Sequence, residues 1–282
     1  MPRPVHNRLS ALTALAALIA LQAALASQAV AQGLRALPAQ IEHVELRPGW
    51  QTEDGQHMAA LHLRLAEGWK TYWRIPGEAG IAPQFDWSRS QNAASVRARW
   101  PRPVVFAQNG YQSIGYVREL VLPLEVTPDR AGRPVVLQGE ITIGICDEIC
   151  IPVDLSLNQV LRAGAPQDAV IAAALRDGAT AAADAGLQEI TCAITPGDGY
   201  ITLKIRADLP RQGGAETLVA ELPGTDYWIS QAASRREGDA LVSEARIRAP
   251  GGGAVGIERG AVAFTILTET QMLTHRGCTS GG

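Results

Sequence analysis

Short segments in which apolar and polar residues alternate follow one another from residue 41 onward, separated by Gly, Pro, Asn and Asp. Alternation with a period of two is typical of β-strands that are buried on one face. Several short strands with regularly spaced turn signals predict an antiparallel sandwich of immunoglobulin-like type. In the first half of the chain the pattern predicts strands over residues 41–46, 58–65, 96–100, 120–126, 135–145 and 151–160.

The pattern changes over residues 163–186, which are rich in alanine. Residues 167–176 are compatible with a helix whose first turn holds Pro166. Strand patterns resume at residues 190–195, 200–206, 217–221, 226–229, 240–247 and 261–268. We therefore predict an all-β fold of two immunoglobulin-like antiparallel β-sandwich domains, residues 32–162 and 187–282, joined by a short Ala-rich, partly helical connector.

The first 31 residues have the three parts of a secretory signal peptide. Arg3 and Arg8 precede an uncharged stretch rich in Ala and Leu, and small residues end it at Ala31, where we expect cleavage. An uncleaved membrane anchor is the alternative, because the apolar stretch is long enough to cross a bilayer. Cleavage predicts export from the cytoplasm, and the periplasm of a Gram-negative bacterium is the destination that the family resemblance described below implies.

Composition and motifs exclude several functions. The formal net charge is −3, and the 25 basic residues are scattered along the chain, so no face is predicted for nucleic acid. The sequence contains no G-x-S-x-G, P-loop or H-E-x-x-H motif, which leaves hydrolysis and nucleotide binding without support. We expect neither a cofactor nor a small-molecule substrate.

Export changes how the four cysteines are interpreted, because disulfides form and persist outside the cytoplasm. Cys146 and Cys150 flank three residues between two β-branched runs. If these runs pair as a hairpin, both sulfurs fall at its tip within reach of a disulfide. So short a loop gains little stability from closure, and a bridge at an exposed turn is of the easily reduced kind. This favours a redox-active pair.

Two other interpretations of this pair stay open. Asp147 and Glu148 disfavour a thiolate, and no activating Lys, His or helix N-terminus is adjacent in sequence, so the pair suits attack by another protein's thiolate. It could instead be a structural clip of the hairpin. A metal site is the third possibility, but the histidines of the mature chain lack metal-ligand spacing, and we expect no metal.

Cys192 and Cys278 bracket the predicted second domain. A bridge between them would close a long loop, which the loop-entropy model values at about 4 kcal/mol. We expect a structural disulfide here, with two free thiols or a second exchanging pair as the alternatives.

Three stretches, taken in order, resemble a known family. They are residues 68–77 (GWKTYWRIPG), residues 100–103 (WPRP) leading to Phe106 and Tyr116, and residues 146–152 (CDEICIP). Together they are similar to the N-terminal periplasmic domain of the thiol:disulfide interchange protein DsbD and its relatives in copper-sensitivity suppressor proteins. The resemblance covers roughly residues 40–160 and implies an immunoglobulin-like sandwich.

The resemblance also implies roles. Cys146 and Cys150 would be the exchanging pair, with Cys150 expected to form the mixed disulfide. Tyr72 matches an aromatic position near the cysteines of the family. The segment 105–111, with Phe106 and Tyr111, stands where the family has a cap loop that shields the pair, although Phe106, Gln108, Asn109, Gly110 and Tyr111 do not match the best-known cap loops.

The implied partners are thioredoxin-like periplasmic oxidoreductases or disulfide isomerases, and a separate membrane electron-transfer protein. The chain carries neither the membrane domain nor the thioredoxin domain of DsbD, so other proteins would supply those stages. Two alternatives to a thiol–disulfide relay remain at this point. One is a non-catalytic adaptor with structural bridges. The other is a copper-tolerance protein using His57 and His62, which alternation along one strand places on opposite faces.

Overall fold

A computed structural model describes residues 37–108, 110–231 and 233–281. The predicted signal peptide lies outside these residues and stays a prediction. The predicted all-β class is confirmed, since strands dominate the described chain and almost all of them pair antiparallel. In the described residues no helix is long and apolar enough to cross a membrane.

Two sheets face each other in the first half of the described chain. One has the order β1-β2-β8-β5, and the other has the order β10-β9-β3-β7-β6 with β4 beside β9. Side chains from both sheets fill a shared core, as expected of a sandwich. The strands are β1 (Ile41–Gln51), β2 (His57–Leu65), β3 (Lys70–Gly77), β4 (Gln84–Asp86), β5 (Ser95–Ala98), β6 (Val104–Gln108), β7 (Tyr111–Val117), β8 (Glu119–Thr127), β9 (Val135–Cys146) and β10 (Cys150–Leu161).

The second half repeats this arrangement with sheets of order β11-β19-β18-β14 and β15-β17-β13-β12-β20, where β16 pairs with β17. A separate core lies between these sheets. The strands are β11 (Thr180–Ala181), β12 (Glu189–Pro196), β13 (Ile201–Asp208), β14 (Thr217–Glu221), β15 (Trp228–Gln231), β16 (Arg235–Glu237), β17 (Ala240–Arg248), β18 (Ala263–Leu267), β19 (Met272–Arg276) and β20 (Thr279–Ser280). Short 3₁₀ turns cover Ala182–Ala185, Pro250–Gly252 and Arg259–Ala261.

Helix α1 (Ala169–Arg176) stands between the sandwiches in sequence. It begins later than predicted, because the carboxylate of Asp168 caps it by accepting hydrogen bonds from the backbone N–H groups of Val170 and Ile171, so Pro166 precedes the helix. Ile171 packs on the outer face of the first sandwich. The Ala-rich stretch after α1 contains β11, which pairs with β19 and so extends a sheet of the second sandwich.

The two sandwiches contact each other through polar and apolar groups. Arg74 donates to both carboxylate oxygens of Glu221 at 2.9 and 2.8 Å, and its guanidinium lies 3.8 Å from the centre of the Trp73 ring. Val219 and Met272 of the second sandwich join the core of the first. A part-buried, bidentate ion pair of this kind fixes orientation as well as distance. The end of β3 is therefore held against the second sandwich.

Candidate functional site

The β9–β10 hairpin brings Cys146 and Cys150 together. They are directly opposite cross-strand partners, with residues 147–149 forming the turn, and their sulfurs are joined in a disulfide. The β-branched residues on either side, such as Ile145 and Ile151, favour the extended backbone that places the pair at the tip. Cys146 is fully buried and Cys150 is half-buried, so the two sulfurs differ in access to solvent.

Strand β3 lies beside β9 and supplies the first contact to the sulfurs. Lys70 pairs with Cys146, and the hydroxyl of Thr71 donates to the carbonyl of Gly144 at 2.9 Å. The hydroxyl oxygen of Tyr72 lies 2.7 Å from Sγ of Cys146 and 3.2 Å from Sγ of Cys150. Tyr72, predicted from the family resemblance alone, is thus placed against both cysteines.

The buried Tyr72 ring fits because two glycines lack side chains around it. A Cβ atom on Gly80 would lie 2.6 Å from Cδ1 of Tyr72, and one on Gly144 would lie 3.1 Å from Cδ2. The first distance is well inside van der Waals contact, and Gly144 would also meet Ile81 at 2.6 Å. These glycines therefore allow the ring to approach the disulfide.

Gln108, at the end of β6, completes the polar surroundings of the sulfurs. Its side chain is buried, its Oε1 accepts a hydrogen bond from the Tyr72 hydroxyl at 2.8 Å, and its Nε2 lies 3.4 Å from Sγ of Cys150. The sequence predicted Gln108 only as part of the cap segment. A single amide at the end of the apolar run VVFAQ is the signal that could have identified it, because an amide that becomes buried needs hydrogen-bond partners.

The Tyr72 hydroxyl has a single proton to donate. Burial raises the pKa of Tyr72, so the phenol stays protonated at neutral pH, although the hydrogen bond with Gln108 opposes that shift. While the disulfide is closed, the amide oxygen of Gln108 is the better acceptor. When Cys146 becomes a thiolate, the same hydroxyl is positioned to donate to it, and such a charge-assisted hydrogen bond lowers a thiol's pKa.

The segment 105–111, expected as a cap loop, is for the most part the β6–β7 hairpin; Asn109 lies outside the described residues. Phe106 stacks on Tyr72 with 6.5 Å between ring centres. Tyr111 is 54% exposed near the hairpin's tip. Phe106 and Gln108 thus cover Tyr72 and the disulfide, while Tyr111 faces solvent.

The charges at the tip differ from what the local sequence suggested. Asp147 and Glu148 are exposed on the turn, and the ammonium of Lys70 lies 3.7 Å from Oδ1 of Asp147 and 6.0 Å from the centre of the Phe106 ring. The sequence next to the cysteines contains no activating cation, because Lys70 is distant along the chain. Strand pairing brings the positive charge of Lys70 to the hairpin tip, where it offsets Asp147.

The second disulfide joins Cys192 on β12 to Cys278, across 86 positions of sequence. Cys192 is fully buried in the second core, and Cys278 packs against the same core between β19 and β20. The pairing is the one that sequence analysis expected, and its structural role stays a prediction.

Residues 41–161 match the family model for the N-terminal domain of the thiol:disulfide interchange protein DsbD. This segment is similar to the N-terminal domain of DsbD, and we refer to it as the DsbD module. The resemblance drawn from the three sequence stretches is therefore confirmed, and a module related to thiol–disulfide exchange holds the Cys146–Cys150 pair.

The fold also matches a solved structure, described as the crystal structure of the N-terminal periplasmic domain of ScsB from Proteus mirabilis. The two chains are 23% identical and superpose with a TM-score of 0.61, covering 89% of this chain and 98% of the other. This likeness extends beyond the DsbD module and includes the second sandwich. No curated protein matches the chain significantly in sequence.

Proposed function

We propose that this chain is a periplasmic thiol–disulfide exchange protein that relays electrons through Cys146 and Cys150. The donor would be a membrane-linked reductant, and the clients would be thioredoxin-like oxidoreductases or disulfide isomerases. The observation that carries this proposal is a disulfide at a hairpin tip, within the DsbD module, whose sulfurs contact the Tyr72 hydroxyl and the Gln108 amide.

The inward step starts from the oxidised pair. A thiolate of the reductant attacks Sγ of Cys150, the Cys146–Cys150 bond breaks, and Cys146 leaves as a thiolate beside the Tyr72 hydroxyl. The second thiolate of the reductant then attacks its own sulfur in the mixed disulfide and releases Cys150. Two electrons enter the pair, and two protons come from solvent. Stabilising the leaving thiolate accelerates such exchange.

The outward step reverses these roles. The Cys150 thiolate attacks a disulfide of the client, forming a mixed disulfide and releasing one client thiolate. The Cys146 thiolate then attacks Sγ of Cys150, which re-forms the pair and releases the second client thiolate. Greater access to Cys150 than to fully buried Cys146 supports this assignment.

Apolar side chains around the tip support a protein partner. Ile149, on the turn between the cysteines, is 74% exposed, and Val105 and Ile151 are also exposed. Exposed apolar residues beside a reactive group are typical of a docking surface.

We propose that residues 32–162 act as the redox domain and that residues 187–282, beyond connector 163–186, help to bind the donor or the client.

The test compares two variants in which one cysteine of the tip pair is replaced, Cys146→Ser and Cys150→Ser. The probe is a thioredoxin that keeps only its attacking cysteine, activated as a mixed disulfide with thionitrobenzoate, so that attack releases a coloured thiolate. We expect the Cys146→Ser variant, which keeps Cys150, to react at least about tenfold faster, because rates depend on access to the attacking sulfur.

Cys192→Ser serves as the matched control, because it leaves the tip disulfide closed and frees a thiol at Cys278 instead. We expect it to react slowly. If both tip variants fail to react, or react no faster than this control, the chain is not an exchange protein and the adaptor function takes its place.

A further inference from the structure

A polar cluster lies on the outer face of the first sandwich, on strands that do not carry the cysteines. We name it the His–Glu cluster, and it consists of His43, Glu45 and His62. His43 and Glu45 are two positions apart on β1, so their side chains share a face, and Glu45 pairs directly with His62 on β2. The register of the β1–β2 pair therefore brings two imidazoles and a carboxylate together.

The distances in the cluster suit a small cation. Nε2 of His43 lies 3.4 Å from Oε1 of Glu45, Nδ1 of His62 lies 3.7 Å from the same oxygen, and the three ligand atoms all lie within 4.8 Å of one another. Zinc holds nitrogen and oxygen ligands at about 2.0–2.1 Å, and tetrahedral geometry then separates two ligands by roughly 3.3 Å. The two distances to Glu45 are already close to this separation, and side-chain movements of up to about 1.5 Å would bring the two imidazole nitrogens to it.

The imidazole of His62 is oriented for ligation. Its Nε2 lies 2.8 Å from a carboxylate oxygen of Glu119, which fixes the proton on that nitrogen and leaves the lone pair on Nδ1. Nδ1 is buried and has no hydrogen-bond partner among the described residues. A carboxylate behind a metal-ligating histidine orients the ring and raises its basicity. Glu119 stands in that position here.

Arg47 places a positive charge beside Glu45. Arg47 donates to Oε1 at 2.7 Å and is itself held by Asp168, the N-cap of α1. A guanidinium so close offsets part of the negative charge, so the site would depend on the two imidazoles for most of its affinity.

We propose that the His–Glu cluster binds one divalent first-row transition ion of the Zn²⁺ type. Two imidazole nitrogens and one carboxylate oxygen form a ligand set that suits such ions and does not suit Mg²⁺, which prefers oxygen. Water would fill the fourth position. The site is separate from the cysteine chemistry, because its three residues lie on β1 and β2, which carry no cysteine.

The test uses the oxidised chain, purified without an affinity tag and stripped with a chelator, in equilibrium dialysis against Zn²⁺ at pH 7.5. We expect saturable binding of one ion per chain and a rise of Tm in the presence of Zn²⁺, since a ligand that binds only the folded state stabilises it. Mg²⁺ should give neither effect.

Three variants test the assignment. We expect His62→Gln and His43→Gln each to weaken Zn²⁺ binding at least tenfold, and Glu119→Gln to weaken it about tenfold although Glu119 is not a ligand, as is usual for groups behind a ligating histidine. His275→Gln, on β19 in the second sandwich, is the matched control and should bind as the unmodified chain does.

His43 is half exposed, so its replacement tests the site even if His62→Gln does not fold. Binding that is absent from the unmodified chain, or equal in His43→Gln and His275→Gln, would overturn the proposal and leave the cluster as an ion pair only.

Discussion

The two disulfides of this chain differ both in what they connect and in what surrounds them. Cys146 and Cys150 are four positions apart, and their sulfurs contact the Tyr72 hydroxyl and the Gln108 amide. Cys192 and Cys278 are 86 positions apart, and the buried Cys192 packs within an apolar core. The first bridge constrains almost no chain but has polar groups ready for a thiolate, whereas the second constrains nearly a whole sandwich.

This contrast teaches that one protein can hold both a disulfide that opens and closes and a disulfide that stabilises the fold. In the loop-entropy model a loop of about five residues contributes about 2 kcal/mol, and one of about 87 residues contributes between 4 and 5 kcal/mol. A bridge that contributes less to stability can be opened without unfolding the chain. The Cys192–Cys278 bridge would then stay closed while the Cys146–Cys150 bridge exchanges electrons.

The largest expected effect concerns electron transfer. Replacing Cys146 and Cys150 together by Ala should abolish oxidation of added reduced thioredoxin by the chain, because the bridge that is proposed to accept the electrons is then absent. Replacing Cys192 and Cys278 together by Ala should leave that rate nearly unchanged in the molecules that remain folded. A stopped-flow assay that follows thioredoxin fluorescence compares the two. Loss of transfer in the second variant alone would reverse the assignment.

The free energy of unfolding should depend more on the Cys192–Cys278 bridge than on the Cys146–Cys150 bridge. The Cys192→Ala, Cys278→Ala variant should lose about 4 kcal/mol of the free energy of unfolding, and the Cys146→Ala, Cys150→Ala variant about 2 kcal/mol or less. Denaturant titration followed by circular dichroism measures both. An equal loss in the two variants would mean that the tip bridge is also a structural clip.

Tyr72→Phe sharpens the comparison by changing the sulfur environment without touching a cysteine. The hydroxyl should stabilise the Cys146 thiolate by about 1.5–3 kcal/mol, the range for a hydrogen bond to a charged group. Its removal should therefore raise the pKa of Cys146 by about one unit or more. Thiolate absorbance against pH measures this in a Cys150→Ser background. Tyr111→Phe is the control, since Tyr111 is exposed.

The smallest expected effect belongs to Lys70. Its ammonium lies near Asp147 at the tip, and a partly exposed pair of this kind is worth at most about 1 kcal/mol. Lys70→Gln should raise the pKa of the cysteine thiols by a few tenths of a unit. Lys204 is an exposed lysine on β13, and Lys204→Gln should leave the pKa of the thiols unchanged. A large shift from Lys70→Gln would show that the charge matters more than the Tyr72 hydroxyl.

Alternation predicted the strands whose two faces differ, such as β12 and β13, and with them the fold. It missed β3, where Thr71, Tyr72 and Trp73 are buried in succession because Tyr72 enters the site while Trp73 enters the core. A strand buried on both faces has no period of two.

The site was predictable only where its residues are close in sequence. The cysteine pair followed from its spacing, and Tyr72 followed from the family resemblance. The pairing of β6 with β7 and of β3 with β9 brings Gln108 to the sulfurs and Lys70 to Asp147, and no local pattern records either contact. The same holds for His43 and His62, whose separation along the chain hides their proximity across the β1–β2 pair.

The most direct test of the central claim is the redox titration of both bridges in one sample. The purified chain is equilibrated in glutathione or dithiothreitol buffers of graded potential, alkylated, and mapped by mass spectrometry. We predict that Cys146 and Cys150 are reduced together at a potential above about −300 mV, the range of labile bridges, while Cys192 and Cys278 stay joined. Equal resistance of both bridges to reduction would contradict this account.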